Sequence, residues 1–165
     1  MSAHQPRLEP DAGTHSGGFA GIAAHELSAM QSFLGLLERE RAALESGNAD
    51  SLQELTREKS ALIDKLSECA RQRSRLLAVA GKQHNAAGIQ QLIGTDCATG
   101  QLWNQLLEVA QRAVEMNTGN AFLSNQRLAH VERALSSLGA PRTALYGVGG
   151  RASYGSGLSR SLAQG

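Results

Sequence analysis

The sequence predicts an all-α protein: an elongated antiparallel helical bundle or coiled coil of three long helices, with flexible N- and C-terminal tails. Three observations carry this expectation. Leu (23) and Ala (25) supply 48 of the 68 hydrophobic residues, against nine Val and Ile together; Leu and Ala enter a helix at little cost, and the β-branched residues that suit a pleated sheet are scarce. Apolar residues recur at steps of three and four over three long segments. Stretches bearing Gly and Pro separate and bracket those segments.

Residues 1–18 hold Pro6, Pro10, Gly13, Gly17 and Gly18 and lack the apolar core of a secretion signal, so a disordered leader is expected there. The first helical pattern runs from Phe19 to Ser46. Leu27, Met30, Leu34, Leu37 and Leu44 share its spacing, Arg41 interrupts it, and Phe33 and Leu36 add an adjacent stripe. Gly47-Asn48 suits a left-handed turn after a helix. Asp50, with Gln53 three residues on, predicts a capping box for the second helix. That helix, expected over 50–80, carries Leu52, Leu55, Leu62, Leu66, Cys69 and Leu76, with Lys59 and Arg73 at intervening core-register positions. Gly81 to Gly88 is a break. Ile89, Leu92 and Ile93 predict one or two helical turns before Gly94-Thr95-Asp96 punctuates the chain again.

The third pattern is the longest. Trp103, Leu107, Ala110, Val114, Asn117, Ala121, Ser124, Leu128, Val131, Leu135 and Leu138 alternate steps of four and three without a slip, as a coiled-coil seam does. Asn117 and Ser124 either set register and partner number or mark where the seam turns away from the core. Gly139, with Pro141 two residues on, ends the helix, so the bundle domain is expected over 19–139. Residues 140–165 hold six Gly, four Ser and three Arg and no acidic residue. Such a stretch buries too little surface to offset its ordering entropy and is expected to be a flexible tail.

At about 1.5 Å per residue the three helices span roughly 40, 45–48 and 60 Å. An antiparallel bundle of unequal rods leaves part of the longest unpaired, here Leu128 to Leu138, and an exposed apolar stripe usually means a partner. A kink near Gly119 that folds the helix back, or homodimerisation, are the competing readings.

Several function classes are disfavoured. Sixteen basic against fifteen acidic residues leave no bulk field toward nucleic acid or an anionic membrane. No apolar run reaches the length that spans a bilayer. Cys69 and Cys97 are isolated and read as reduced, buried side chains of a cytoplasmic protein. None of the five His has Glu three residues before it, the pairing a helical di-metal site needs, so no metal or cofactor is expected. Nothing in the periodicity brings a His to either Cys as a base. Arg71, Arg73 and Arg75, spaced by two, point in different directions on a helix and read as a solvated surface. What remains is a non-enzymatic protein that holds other proteins through long amphipathic helices.

A family resemblance sharpens this. The second helix opens Leu52-x-x-Leu55 and continues through Glu58-Lys59 to Leu62. After the break come Trp103, the run Ala113-Val114-Glu115-Met116-Asn117-Thr118-Gly119-Asn120, a Leu-rich stretch to Leu135 and Leu138, and a tail beginning Leu145-Tyr146-Gly147. Over roughly residues 20–155 this resembles the FlgN family of flagellar export chaperones, the Asn-x-x-Asn and the Tyr-Gly being the most telling pieces. The resemblance implies a cytoplasmic escort, without enzymatic activity or cofactor, for the hook-filament junction (hook-associated) proteins. It implies that clients are kept from premature assembly and delivered to the flagellar type III export gate. Client contact then falls on Leu128, Val131, Leu135 and Leu138, and gate contact on Tyr146. The alternative is a homodimeric structural or regulatory coiled-coil protein without a client.

Overall fold

The structure, a computed structural model, describes residues 12–137, with side chains from Gly17 onward. Four helices follow in order: α1 (Ala12–Ser46), α2 (Ala49–Val79), α3 (Ala86–Ile93) and α4 (Cys97–Ser137). The chain divides into two compact units, Met1–Asn120 and Ala121–Gly165. The expected tail from residue 140, and Leu138 with it, lie outside the described residues.

Each helix end has a local cause. Gly47, with φ 75°, closes α1, and its N–H bonds the Ala43 carbonyl at 2.9 Å. Asn48 then caps α2, its side chain accepting from the Ser51 N–H. The cap is therefore Asn48 and not Asp50; α2 starts at Ala49, which moves Asp50 into the first turn, where a carboxylate meets the positive end of the helix. Asn85 caps α3, accepting from the Gly88 N–H at 2.9 Å. The chain folds so closely here that a Cβ on Gly88 would stand 1.9 Å from the Gln83 carbonyl oxygen. Asp96 opens α4, one carboxylate oxygen accepting from the N–H groups of Ala98 and Thr99 and the other from the Thr99 hydroxyl.

α1 begins at Ala12 rather than at Phe19, so Gly13, Gly17 and Gly18 sit inside the helix. Glycine costs a helix about 1 kcal/mol relative to Ala. The offset comes from Phe19 and Ala23, both fully buried just downstream. Once they anchor the helix, each further turn adds hydrogen bonds without a new nucleation cost.

In the first unit, α1 and α2 run antiparallel: Glu26 pairs with Arg73 near one end, and Arg39 with Glu58 and Glu40 with Lys59 farther along α1 but earlier in α2. α1 and the opening of α4 run parallel, since Phe19 meets Trp103 while Leu34 and Leu37 meet Ala113. At the α3 end one core joins all four helices, built on Phe19, Leu27, Leu77, Ile89, Leu92, Ile93, Trp103 and Leu106. Farther along α1 the core divides. Leu34 and Leu37 face Ala113 of α4, while Leu36 and Ala43 face Leu55 of α2. α1 is thus the shared wall of two narrower cores.

Two basic residues that interrupt the apolar spacing of α2 are explained by these contacts. Lys59 Nζ reaches both carboxylate oxygens of Glu40 at 2.9 Å. Arg73 binds Glu26, itself buried, and lies over the Trp103 ring at 5.3 Å from its centroid. Charges at core-register positions are tolerated because each meets an opposite charge on α1.

The seam of α4 is displaced from the expected one. The buried line runs Trp103, Leu106, Ala113, Asn120, whereas Leu107 and Val114 are at least half exposed and Asn117, Ala121 and Ser124 are exposed. Two apolar stripes lie side by side on this helix, and the bulkier one is not the one that packs. A helix can approach α1 more closely through Ala113 than through Val114. Asn117 and Ser124 therefore lie off the core, and Asn120 and Thr99 are the polar residues of α4 that are buried. α4 continues through Gly119 without a break.

Candidate functional site

The described part of the second unit is the stretch of α4 from Ala121 to Ser137. None of its side chains is buried. Leu128 is 46 % exposed and Val131 49 %, while Leu135 is half-buried. At steps of three and four these residues share one face of the helix. Leu138 and Tyr146, the remaining expected contact residues, lie outside the described residues. Phe122 is more exposed than any of the three and stands outside the seam spacing.

Polar side chains here turn back on their own helix. Arg133 donates to the Ala129 carbonyl at 3.1 Å, and the hydroxyls of Ser136 and Ser137 donate to Glu132 and Ala134 carbonyls at 2.8 and 2.7 Å. These bonds tie one guanidinium N–H and two hydroxyls to the helix's own carbonyls.

The first unit meets this stretch at Asn120, which is 2 % exposed. Its Nδ2 donates to the Leu37 carbonyl and to a Glu40 carboxylate oxygen, both at 2.8 Å. Both partners are acceptors, which fixes the orientation of the amide, and it leaves the buried Oδ1 without a hydrogen bond. Glu40 also holds Lys59, so Asn120, Glu40 and Lys59 tie α4, α1 and α2 together.

Little in the first unit suggests bond-making chemistry. Cys69 is buried, and burial, with Glu26 adding to it, pushes its thiol above the ordinary range, the opposite of an activated nucleophile. Cys97, expected to be buried, is exposed at the first residue of α4, where no packing layer covers it. Among the described residues no cluster of three or more His, Cys, Asp or Glu side chains is placed to hold a metal. Among them, too, no helix is long and apolar enough to cross a membrane. Of the three helix-two arginines, Arg71 pairs with Glu68, and its bond holds that carboxyl below the usual range, while Arg73 turns inward to Glu26.

Comparison with known proteins agrees with this picture. The family model described as FlgN, FlgN protein, matches residues 19–153. A crystal structure from Pseudomonas aeruginosa, described as that of a flagella synthesis protein FlgN, superposes with a TM-score of 0.60 at 24% identity. The match covers 72% of this chain and 92% of that one, and at this identity it speaks for the fold. No curated protein matches the sequence.

Proposed function

Since the chain belongs to the FlgN family and its role lies in flagellar assembly, we propose that it is an export chaperone for hook-filament junction proteins. It holds a helical segment of the client against Leu128, Val131, Leu135 and Leu138, masks the client's self-assembly surface, and delivers it to the type III export gate. The exposure of Leu128 and Val131 on one face of the helix is the observation that carries this reading. Each Leu or Val side chain fully covered by a partner contributes about 1.5–3 kcal/mol, before association costs. Tyr146 is proposed as the gate contact, on the strength of its place after the last helix in the family pattern. The proposed setting is the cytoplasm, and the proposed action is binding alone, without catalysis or cofactor.

The test is capture of a purified junction protein by the full chain. Combined substitution Leu128→Ser, Val131→Ser and Leu135→Ser is expected to abolish capture while far-ultraviolet circular dichroism keeps most of its helical signal. Tyr146→Ala is expected to leave capture intact and impair client secretion. Capture that survives in the folded triple variant sinks the proposal.

A second reading has its own observation. Leu107 and Val114 lie exposed one heptad apart on α4 of the first unit, which suits a homodimer without a client. A dimeric mass in solution, lost on Leu107→Ser with Val114→Ser, together with no client capture, is the result that favours it.

A further inference from the structure

Two polar ties join three helices of the first unit at well-separated points. At one, Glu26 of α1 binds Arg73 of α2, which lies over Trp103 of α4. At the other, Glu40 of α1 holds both Lys59 of α2 and Asn120 of α4. Residues at steps of three and four share a helix face, so the line between the ties can be followed along each helix. On α1 it passes through Met30, Phe33 and Leu37, and on α2 through Ile63, Leu66 and Ala70. On α4 the line from Trp103 passes through Leu107, Ala110 and Val114, then Asn117, to Asn120. The ends are polar and tied, and the middle is apolar on all three helices.

That middle is open between α2 and α4. Of its six wall residues on those two helices none is buried, and Ile63, Leu107 and Val114 are exposed. Buried contacts along this stretch join α1 to α4 through Leu37 and, separately, α1 to α2 through Leu36. Leu36 and Leu37 point about 100° apart around α1. The two neighbours of α1 therefore diverge as in a four-helix bundle whose fourth corner is empty. Phe33, half-buried, is the floor of the cleft. Its rims carry no charge: Ser60 and Ser67 flank Ile63, and Asn104, Gln111 and Thr118 flank Leu107 and Val114.

We propose that this cleft receives a helix of a partner protein, about four turns long, with a Leu- or Val-rich ridge and uncharged Ser, Thr, Asn or Gln flanks. The ridge seats on Phe33 between the walls, as an amphipathic helix does in an apolar groove. Charged flanks would be stripped of water against rims that offer no countercharge, whereas hydroxyl and amide flanks find hydrogen-bonding rims. The ties set the length: 14 residues separate Glu26 from Glu40 and Lys59 from Arg73, about 21 Å of helix. A second copy fits less well, because symmetric pairing of α4 with α4 through Leu107 and Val114 leaves Phe33 and Ile63 uncovered. The site lies wholly in the first unit, apart from the face made by Leu128, Val131 and Leu135.

A dye-labelled synthetic peptide of about 16 residues, with leucines at steps of three and four and Ser and Gln flanks, provides the test. Its anisotropy is read against the full chain bearing Leu128→Ser, Val131→Ser and Leu135→Ser, so that the second-unit face does not contribute. The peptide should bind, and Ile63→Ser and Val114→Ser, on opposite walls, should each weaken it about tenfold or more. Both positions are exposed, so circular dichroism and melting temperature should match the parent's; Ile63→Ala and Val114→Ala take their place if Ser disturbs the fold. The same ridge with alternating Lys and Glu flanks should bind about tenfold more weakly. Binding indifferent to substitution at Ile63 overturns the proposal, since the peptide then lies on α4 alone. Absence of binding overturns it, as does equal binding of the charged-flank peptide. A dimer of the parent chain that is lost on Ile63→Ser assigns the cleft to a second copy and overturns it too. The client reading is decided separately, by capture of a junction protein with and without the Leu128, Val131 and Leu135 substitutions.

Discussion

Asn120 donates its side-chain amide to Glu40, 80 positions earlier in the chain, at 2.8 Å, and the same carboxylate holds Lys59 of α2. Two hydrogen bonds from one amide, with the amide oxygen left unpaired, make a polar node inside an otherwise apolar helix contact. Asn120→Ala should lower stability by about 1–3 kcal/mol, because the Glu40 and Leu37 acceptors lose a buried donor. Asn120→Asp should do worse near neutral pH, where a second carboxylate faces Glu40, and should recover as pH falls and one of the two takes up a proton. Thermal melts at pH 7 and pH 4 check both. An Asn120→Asp variant whose loss relative to the parent chain is as large at pH 4 as at pH 7 contradicts the geometry.

A double-mutant cycle at Glu26 and Arg73 should show strong coupling. Glu26 is buried and its charge is met by Arg73, so Arg73→Met leaves an uncompensated carboxylate and should cost about 3–5 kcal/mol. Adding Glu26→Gln should restore much of that loss. The lone tryptophan, Trp103, lies beneath the same guanidinium, so its fluorescence reports the unfolding directly. Additive losses in the two single variants remove the pairing from the account.

The two cysteines should differ in reactivity. A thiol reagent at pH 8 should modify Cys97 promptly and Cys69 only as the protein opens. The sign of the pH dependence follows from the raised thiol at Cys69. Its contribution to stability is whole below the ordinary thiol range and is lost as pH rises through the folded value, because the unfolded state gives up its proton first. Cys69→Ser should flatten that alkaline decline. Equal labelling rates for the two thiols contradict their placement.

Gly88→Ala should destabilise the turn between α2 and α3 by more than the few tenths that a surface substitution costs. The added methyl has backbone in its way, at the Gln83 carbonyl, so the 82–88 segment has to move. Hydrogen exchange at α3 amides in the variant measures it, and unchanged protection there refutes the close approach.

The helices were legible in the sequence because their signals are local. Gly47 with Asn48, and Gly94 with Asp96, stand where the turns and caps form, and the expected span of α2 differs from the observed one by a residue at each end. The packing face of α4 was not legible, since Leu107 and Val114 fit a heptad as well as Leu106 and Ala113 do, and only the nearness of α1 chooses between them. The roles of Lys59 and Arg73 were likewise hidden: a basic residue in an apolar spacing becomes interpretable only when Glu40 and Glu26 are seen opposite it. Leu128, Val131 and Leu135 share one helical face by their spacing, but what covers such a face is not written in its own residues.

The antiparallel pairing of α1 with α2 and the parallel pairing of α1 with α4 have a consequence in time. The α1–α2 pairs close across a short turn, Arg39 to Glu58 being 19 residues apart, whereas Asn120 reaches Leu37 across 83. Closing the larger loop costs more chain entropy, so the local hairpin is favoured to assemble first and α4 to dock later. On a ribosome the same order is favoured by synthesis, since α1 and α2 precede α4 in the chain. The wall of α1 that receives Ala113 and Asn120 is then the last part of this unit to be covered. Substitutions there are expected to speed unfolding more than they slow folding.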